Sequence, residues 1–312
     1  MRKIRLMLYL LASVLCSAML CSAQQNPEVD SLIAETKVYL EIYSSLSPFG
    51  EVEAYTDIGL PERDIATLRL DSEEYEYIGN DSIESFEIIS YIQSRIELQI
   101  RRIVRRADLN QCDLVEIFKD YQIGIVRSTD GKLYNFSLDE KTGGAYRSRL
   151  SWMHYTELET DTLDLTLNDG ESSPESPYYT FETDGYHRID TLHSGDQIKY
   201  VLTGSVLGCN ACFLTYVEMV KFENGQFVNE FYYSVESRSW ETEVVFDLEN
   251  KTIKADYLTD DLTANCGCEV RSDFENGNYD YSQDEEPEYD LECHCEFVFD
   301  GENFVEVGEM VK

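Results

Sequence analysis

The sequence is poor in cationic side chains. It has 25 Lys and Arg residues against 61 Asp and Glu residues, so the formal net charge is −36 at neutral pH. Contacts with nucleic-acid phosphates need clustered Lys and Arg side chains, and so does adsorption to an anionic membrane surface. The charge balance therefore argues against nucleic acid as a partner and against docking on anionic lipid.

Catalytic signatures are missing as well. The chain has four histidines and contains no Gly-x-Ser-x-Gly elbow, no His-Glu-x-x-His zinc motif and no phosphate-binding loop. His187 and His193 are spaced too widely for a helical pair of metal ligands. The sequence therefore leaves any catalytic residue unidentified, and it predicts no cofactor. A pair of carboxylates of the glycoside hydrolase type stays open as an alternative, because 61 acidic residues allow many geometries.

Long apolar runs are absent beyond the N-terminus. Residues 1–5 include three cations, residues 6–20 are apolar and residues 21–23 are Cys-Ser-Ala. This order is typical of a secretory signal peptide that is cleaved before Gln24, and the run is shorter than the about 20 residues of a membrane anchor. We expect a secreted or periplasmic mature protein without membrane insertion. Lipid attachment to a cysteine of this segment is an alternative that is disfavoured, because leucine precedes both cysteines.

The remaining chain is rich in aromatic residues. It is 43% hydrophobic overall and includes 22 Tyr and 14 Phe residues, which is enough for a sizeable core and excludes disorder throughout. We expect three parts, namely a signal peptide over 1–23, a helical N-terminal region over 24–110 and a β-rich domain over 111–312.

Helical periodicity dominates the first of the two mature parts. A helix is predicted from Asn26-Pro27 to about Leu46, before Ser47-Pro48. Residues 49–80 have no clear period and are expected to be irregular, with a short strand as the alternative. A second helix is predicted after Asp81-Ser82. One face of it is apolar, with Phe86, Ile89, Ile92, Ile96, Ile100 and Ile103 at helical spacing.

The second predicted helix is also basic. Its cations are Arg95, Arg101, Arg102, Arg105 and Arg106. Cations are favourable near a helix C-terminus, and in so acidic a protein we expect them to pair with the protein's own carboxylates or to face solvent. A dedicated site for an anion or a partner is the alternative.

After about residue 120 the apolar period changes to two. Residues 133–138 and 163–167 alternate in this way, as in strands. Turn pairs that accept positive φ angles separate the runs, at Asp130-Gly131, Gly143-Gly144, Asp184-Gly185, Asn224-Gly225 and Asp300-Gly301, and a further hairpin is predicted over 244–257. We therefore expect a mainly β fold with a helical N-terminal part, built as an antiparallel hairpin meander that is sandwich-like or propeller-like.

One of these hairpins carries a resemblance. The segment Ser128-Thr129-Asp130-Gly131-Lys132, followed by Phe136-Ser137-Leu138-Asp139 and Thr142-Gly143-Gly144, resembles the opening hairpin of certain uncharacterised secreted bacterial proteins. Those proteins usually have Trp at the position of Leu138. The resemblance covers fewer than 20 residues. It implies an extracytoplasmic protein with a helical N-terminal part and a β-rich body, and it implies no site residues.

Six of the seven cysteines after the signal peptide lie in short-spaced pairs. The pairs are Cys209-x-x-Cys212, Cys266-x-Cys268 and Cys293-x-Cys295. Residues two apart in a strand face the same side. Antiparallel pairing of the last two segments would therefore bring Cys266 near Cys295 and Cys268 near Cys293.

An exported chain meets an oxidising environment, so we predict disulfides at this cluster. Cys209 and Cys212 are expected to bond to each other or to join the cluster, and Cys112 is expected to be a buried thiol. Zinc held by thiolates is the alternative, although Cys-x-Cys is an unusual spacing for zinc. Redox chemistry at Cys209-x-x-Cys212 is disfavoured, because a strand-like run follows where a helix N-terminus is needed.

A strongly acidic segment connects the last two cysteine pairs. Residues 273–292 hold nine carboxylates. Calcium takes such oxygen ligands, but the segment lacks an Asp-x-Asp-x-Asp-Gly register, so a solvated acidic loop is the favoured interpretation. The sequence as a whole is interpreted as a non-catalytic secreted or periplasmic binding or envelope-associated protein with an unknown protein or glycan partner. The alternatives are a secreted hydrolase with a carboxylate pair in a β cleft, and a metal-binding protein that uses the cysteines or the acidic loop.

Overall fold

The computed structural model describes residues 27–49, 51–52, 58–74, 83–109, 111–142, 147–158, 181–208, 213–237, 242–259, 267–270 and 291–307. The chain divides into two compact units, the first ending at Ile125 and the second beginning at Val126. Among the helices within these ranges, none is both long enough and apolar enough to cross a membrane.

Helices make up most of the first unit. They are α1 (Pro27–Ser45), α2 (Glu62–Glu74), α3 (Ser85–Arg106) and α4 (Leu114–Phe118), and a short ribbon of β1 (Glu51–Val52) and β2 (Ile83–Glu84) accompanies them. Helix α1 packs against α3. The isoleucines of α3 at positions 89, 92, 96, 100 and 103 are all buried, which confirms the predicted apolar face. Phe86 does not belong to that face, because its side chain is 55% exposed in the first turn.

Helix α2 corrects the prediction that residues 49–80 are irregular. Its buried positions include Asp64 and Leu68, one turn apart. Only one of these two residues is apolar. A helix anchored by a carboxylate leaves little trace in a pattern of hydrophobic residues, which is why the helical period was not visible.

Asp64 joins the three long helices. The hydroxyl group of Tyr39 on α1 donates to its Oδ2 atom at 2.7 Å, and that of Tyr91 on α3 donates to its Oδ1 atom at 2.6 Å. The guanidinium of Arg95 lies 3.4 Å from Oδ1. Burial, together with the hydrogen bond to Asp64, raises the pKa of Tyr39 to about 12. The tyrosine therefore stays a neutral donor across the physiological pH range.

Four of the five arginines of α3 follow the prediction that they pair within the protein or face solvent, whereas Arg102 is half-buried. Arg101 pairs with Glu97 at 2.6 Å and Arg106 pairs with Glu28 at 3.0 Å, in addition to the contact of Arg95 with Asp64, while Arg105 is exposed. The buried pair is expected to matter most, because exposed ion pairs contribute little to stability.

The second unit consists of three antiparallel sheets, and the first strand of these begins two residues before Val126. The first sheet orders β3 (Gly124–Arg127), β4 (Leu133–Asp139) and β5 (Arg149–Tyr155). The second orders β6 (Arg188–Ser194), β7 (Gln197–Leu207), β8 (Phe213–Glu223) and β9 (Gln226–Ser237). The third orders β10 (Glu243–Asp247), β11 (Thr252–Thr259), β13 (Leu291–Phe299) and β12 (Gly267–Val270), with β14 (Phe304–Glu306) also paired to β13.

The second sheet buries both of its faces. Along β7, Tyr200 and Leu202 belong to a cluster shared with Leu133 of the first sheet. The intervening Val201 belongs to a second cluster, shared with Phe297 of the third sheet. Because alternate side chains of a strand point to opposite faces, the second sheet is the middle layer of the unit. The expected fold class is confirmed as mainly β with antiparallel sheets and a helical N-terminal part.

Four of the predicted hairpins are present. Asp130-Gly131 lies between β3 and β4, Asn224-Gly225 between β8 and β9, and Asp300-Gly301 between β13 and β14. Strands β10 and β11 form the hairpin predicted over 244–257. Asp184-Gly185, in contrast, precedes β6 and joins no two paired strands. Gly143-Gly144 and the alternating run 163–167 lie outside the described residues.

Gly204 on β7 lies in a space that is too small for a Cβ atom. A Cβ atom there would lie 2.2 Å from the Tyr216 ring and 2.5 Å from the backbone oxygen of Gly185. We expect Gly204→Ala to lower the free energy of unfolding by about 3 kcal/mol, because overpacking of this severity forces the neighbours to move. Gly267→Ala on β12 is the matched control, since its nearest contact would be 3.6 Å. Urea unfolding of both variants measures the difference, and equal midpoints would contradict the expectation.

Candidate functional site

The cysteine cluster lies on the third sheet. The β12–β13 register sets Cys268 opposite Cys293, and these two residues form a disulfide. Cys295 is also disulfide-bonded. The predicted partner of Cys295, Cys266, lies outside the described residues, as do Cys209 and Cys212. Cys112 is buried as a thiol, as predicted.

The Cys268–Cys293 disulfide closes the base of the acidic segment. The last pair of the β12–β13 ladder is Val270 with Leu291, so the two residues that flank positions 271–290 lie opposite each other. A disulfide-bonded sulfur is no longer a thiolate, and Cys268, Cys293 and Cys295 therefore cannot act as zinc ligands in this form. Within the described ranges, no group of three or more His, Cys, Asp or Glu side chains is arranged to hold a metal ion.

The ladder predicts a complete disulfide map. Gly267 pairs with His294, so an antiparallel register continued by one residue gives Cys266 with Cys295. We expect non-reducing peptide mapping to recover a Cys268–Cys293 link and a Cys266–Cys295 link. Cys112 is the internal control, because it should react with iodoacetamide in denaturant without any reductant. Alkylation of Cys268 or Cys293 under the same conditions would rule out this map.

His294 lies on the outer face of the third sheet, between the two cysteines of β13. Its Nδ1 atom is 2.7 Å from Oδ1 of Asp256 on β11, and its Nε2 atom is 3.8 Å from Oε1 of Glu292. The hydrogen bond with Asp256 is the main reason why the pKa of His294 is raised above its ordinary value of 6.5. All three side chains are more than half exposed, so solvent screens the interaction.

The raised pKa sets the direction of a pH effect. The stabilisation from protonated His294 is fully present below pH 6.5 and is lost as the pH rises through the folded-state pKa. We expect Asp256→Asn to lower the NMR titration midpoint of the His294 imidazole. Glu296→Gln is the control, at a residue on the same strand as His294. It should leave the midpoint nearly unchanged, because Glu296 faces Lys254. An unshifted midpoint in Asp256→Asn would show that the hydrogen bond between His294 and Asp256 does not form in solution.

A bulge in the second sheet creates a second polar region, which the sequence did not predict. Met219 on β8 pairs with Phe231 on β9, while the next residue, Val220, pairs with Asn229, so Glu230 is the extra residue. A bulge re-aims the side chains around it. Here Asn229 turns to one face of the sheet, while Glu230 and Phe231 both turn to the face that packs against the third sheet.

A carboxylate is buried on the face of the bulge turned towards the first sheet. Glu218 has no exposed surface. Its Oε1 atom accepts a hydrogen bond from the Tyr186 hydroxyl group, and its Oε2 atom accepts one from Nδ2 of Asn229 at 3.3 Å. Burial of a carboxylate is costly unless such donors replace water. Both donors therefore hold the carboxylate in one orientation.

An exposed aromatic ring adjoins this carboxylate. Tyr232 is the cross-strand partner of Glu218 and is 45% exposed, which is more than for most large apolar side chains in the described part of the chain. Burial of the hydroxyl end, partly offset by Ser234 and reinforced by a hydrogen bond to Glu182, raises the pKa of Tyr232 to about 12. The backbone N–H of Glu182 also donates to the Tyr186 hydroxyl oxygen at 2.8 Å. Two carboxylates, an amide and the Tyr186 hydroxyl group thus lie close to the exposed Tyr232.

A rigid shell supports the cluster from the first sheet. Asn135 on β4 accepts a hydrogen bond from the backbone N–H of Tyr186 at 3.0 Å and donates to the Ser151 hydroxyl at 2.6 Å. The Tyr216 hydroxyl donates to the backbone oxygen of Gly185. Burial raises the pKa of Tyr216 well above its ordinary value, so it stays protonated. The segment before β6 is therefore fixed to both sheets by hydrogen bonds.

On the opposite face of the bulge, Glu230 lies between two lysines. Its carboxylate is 2.5 Å from Nζ of Lys199 and 2.9 Å from Nζ of Lys221. Those lysines are cross-strand partners on β7 and β8. Like charges directly opposite each other repel. The Glu230 carboxylate, placed by the bulge, offsets this repulsion between the two lysines.

The sequence contained one readable signal for this region. Glu218 is a charged residue within the apolar run of β8. The two-residue period of a strand places it on the same face as the buried Tyr216 and Val220. Comparison with protein-family models found no match for this chain, and neither curated proteins nor solved structures gave one.

Proposed function

We propose that this chain is a non-catalytic extracytoplasmic binding protein whose ligand is a glycan, held at the Tyr232 side of the second sheet. The supporting observation is the exposed ring of Tyr232 directly across from the buried carboxylate of Glu218. Tyrosine offers an apolar body and a polar tip at such sites.

The chemistry of a sugar matches this arrangement. One face of a pyranose ring presents C–H groups that can lie on an aromatic ring, while its edge presents hydroxyl groups. Carboxylates accept hydrogen bonds from hydroxyls, and an amide both accepts and donates. Glu182 and Asn229, both only partly buried, supply these functions beside the ring of Tyr232.

The extracytoplasmic location is part of the proposal. The Cys268–Cys293 disulfide and the disulfide-bonded state of Cys295 support it, because stable disulfides are characteristic of oxidising compartments. The N-terminal charge and hydropathy pattern of residues 1–23 supports it independently.

Calorimetric titration with neutral oligosaccharides of glucose, xylose, mannose and N-acetylglucosamine tests the ligand class. We expect at least one of them to bind, and Tyr232→Ala to weaken its binding about tenfold or more, as for an aromatic anchor. Tyr232→Phe keeps the ring and should retain most of the affinity. Val245→Ala, a change at an exposed apolar residue of the third sheet, is the matched control. Failure of the whole panel to bind would reject a glycan ligand.

A hydrolase with a carboxylate pair is the second candidate. It is favoured by two carboxylates that act on the Tyr232 hydroxyl group, because the side chain of Glu182 hydrogen-bonds to it and the charge of Glu218 helps to raise its pKa. Paired carboxylates perform acid–base and nucleophilic steps in glycoside hydrolysis. Release of new reducing ends from the same oligosaccharides, abolished in Glu182→Gln, would replace the binding proposal with this one.

A further inference from the structure

Lys199 is a buried amine in contact with a carboxylate. Its side chain is 1% exposed, and its Nζ atom lies 2.5 Å from Oε2 of Glu230. The other carboxylate oxygen, Oε1, is 2.9 Å from Nζ of Lys221. The Lys199 nitrogen therefore lies beside one oxygen of the Glu230 carboxylate, and the Lys221 ammonium lies beside the other.

The surroundings hold these groups in place and limit access of water. The β13–β14 hairpin of the third sheet covers Lys199: its Nζ donates to the backbone oxygen of Glu302 and lies 5.8 Å from the centre of the Phe299 ring. Asn303 of the same hairpin donates from Nδ2 to the backbone oxygen of Glu230 at 3.0 Å. Groups fixed in contact react as if at very high concentration.

We propose that Lys199 and Glu230 form an intramolecular amide bond. An ammonium proton of Lys199 passes to Oε2 of Glu230, which leaves a neutral amine and a carboxylic acid. The nitrogen lone pair then attacks Cδ, the new C–N bond forms, and the C–Oε2 bond breaks. The departing oxygen carries away this proton and a second one from the nitrogen as one water molecule, so the atoms balance and no oxidant is needed.

Lys221 has a defined part in this step. Its ammonium contacts the oxygen that becomes negatively charged when the nitrogen adds to Cδ, which is the arrangement that stabilises an oxyanion. Burial acts to raise the pKa of Glu230, but hydrogen bonds from the two lysines outweigh it and lower that pKa, so the ion pair is the resting form before proton transfer.

The bond would join strands that are not neighbours. In the second sheet β8 lies between β7, which carries Lys199, and β9, which carries Glu230. An amide between the two side chains ties the edge strand β9 to the sheet across β8. Because β9 also carries Asn229 and Tyr232, the crosslink would hold the proposed binding face rigid, although the bond itself does not depend on any ligand.

Mass spectrometry of the purified full-length mature protein tests the proposal. After complete reduction and denaturation, we expect an intact mass lower than the sequence mass by one water. Proteolysis should give a branched peptide that joins the segments containing Lys199 and Glu230. These two readouts need no variant, so a folding defect cannot obscure them.

Two substitutions provide the controls. Lys199→Met should restore the full sequence mass, whereas Lys254→Met, at an exposed lysine 3.8 Å from Glu296, should keep the loss of one water. A wild-type mass equal to the sequence mass would overturn the proposal. Loss of one ammonia instead of water, with a branch at Asn303, would overturn the assignment of Glu230 as the acceptor.

Discussion

The middle sheet of the β-rich unit packs on both faces, and this constraint decides what its strands can carry. A sheet with one solvated face can place charged side chains there, but β7 and β8 have no such face over most of their length. Glu218 and Lys199 are nevertheless almost wholly buried there. Each must find a partner inside the protein, because an uncompensated buried charge would cost more than the fold can supply.

One backbone irregularity satisfies both groups. The bulge at Glu230 sends Asn229 to the Glu218 side of the sheet and the Glu230 carboxylate to the Lys199 side. In a regular β9, Asn229 and Tyr232 would point to opposite faces of the sheet. The extra residue lets Glu230 and Phe231 share the face towards the third sheet, so that Asn229 and Tyr232 both lie on the Glu218 side. The proposed glycan site and the proposed crosslink are therefore two consequences of a single extra residue.

The third sheet has one buried face and one exposed face, and this shows why part of the fold was predictable. Its β11 strand alternates buried Ile253 and Ala255 with exposed Lys254 and Asp256. Such alternation is visible in a sequence, and so are the turn pairs that end its hairpins. The Cys-x-Cys spacing is also visible in the sequence, and it indicates that the two cysteines of each pair share a face of their strand. The Cys268–Cys293 disulfide agrees with this prediction.

The sequence by itself determined the elements whose signal is local. These are the long helices α1 and α3 and the hairpins at Gly131, Gly225 and Gly301. Only the tertiary structure decided the features whose partner is distant in the chain. Helix α2 depends on Asp64 bonding to tyrosines of two other helices, and the cluster at Glu218 depends on a bulge that no residue type announces. Periodicity records which face of an element is buried, whereas the partner of a buried charge is set by packing between elements.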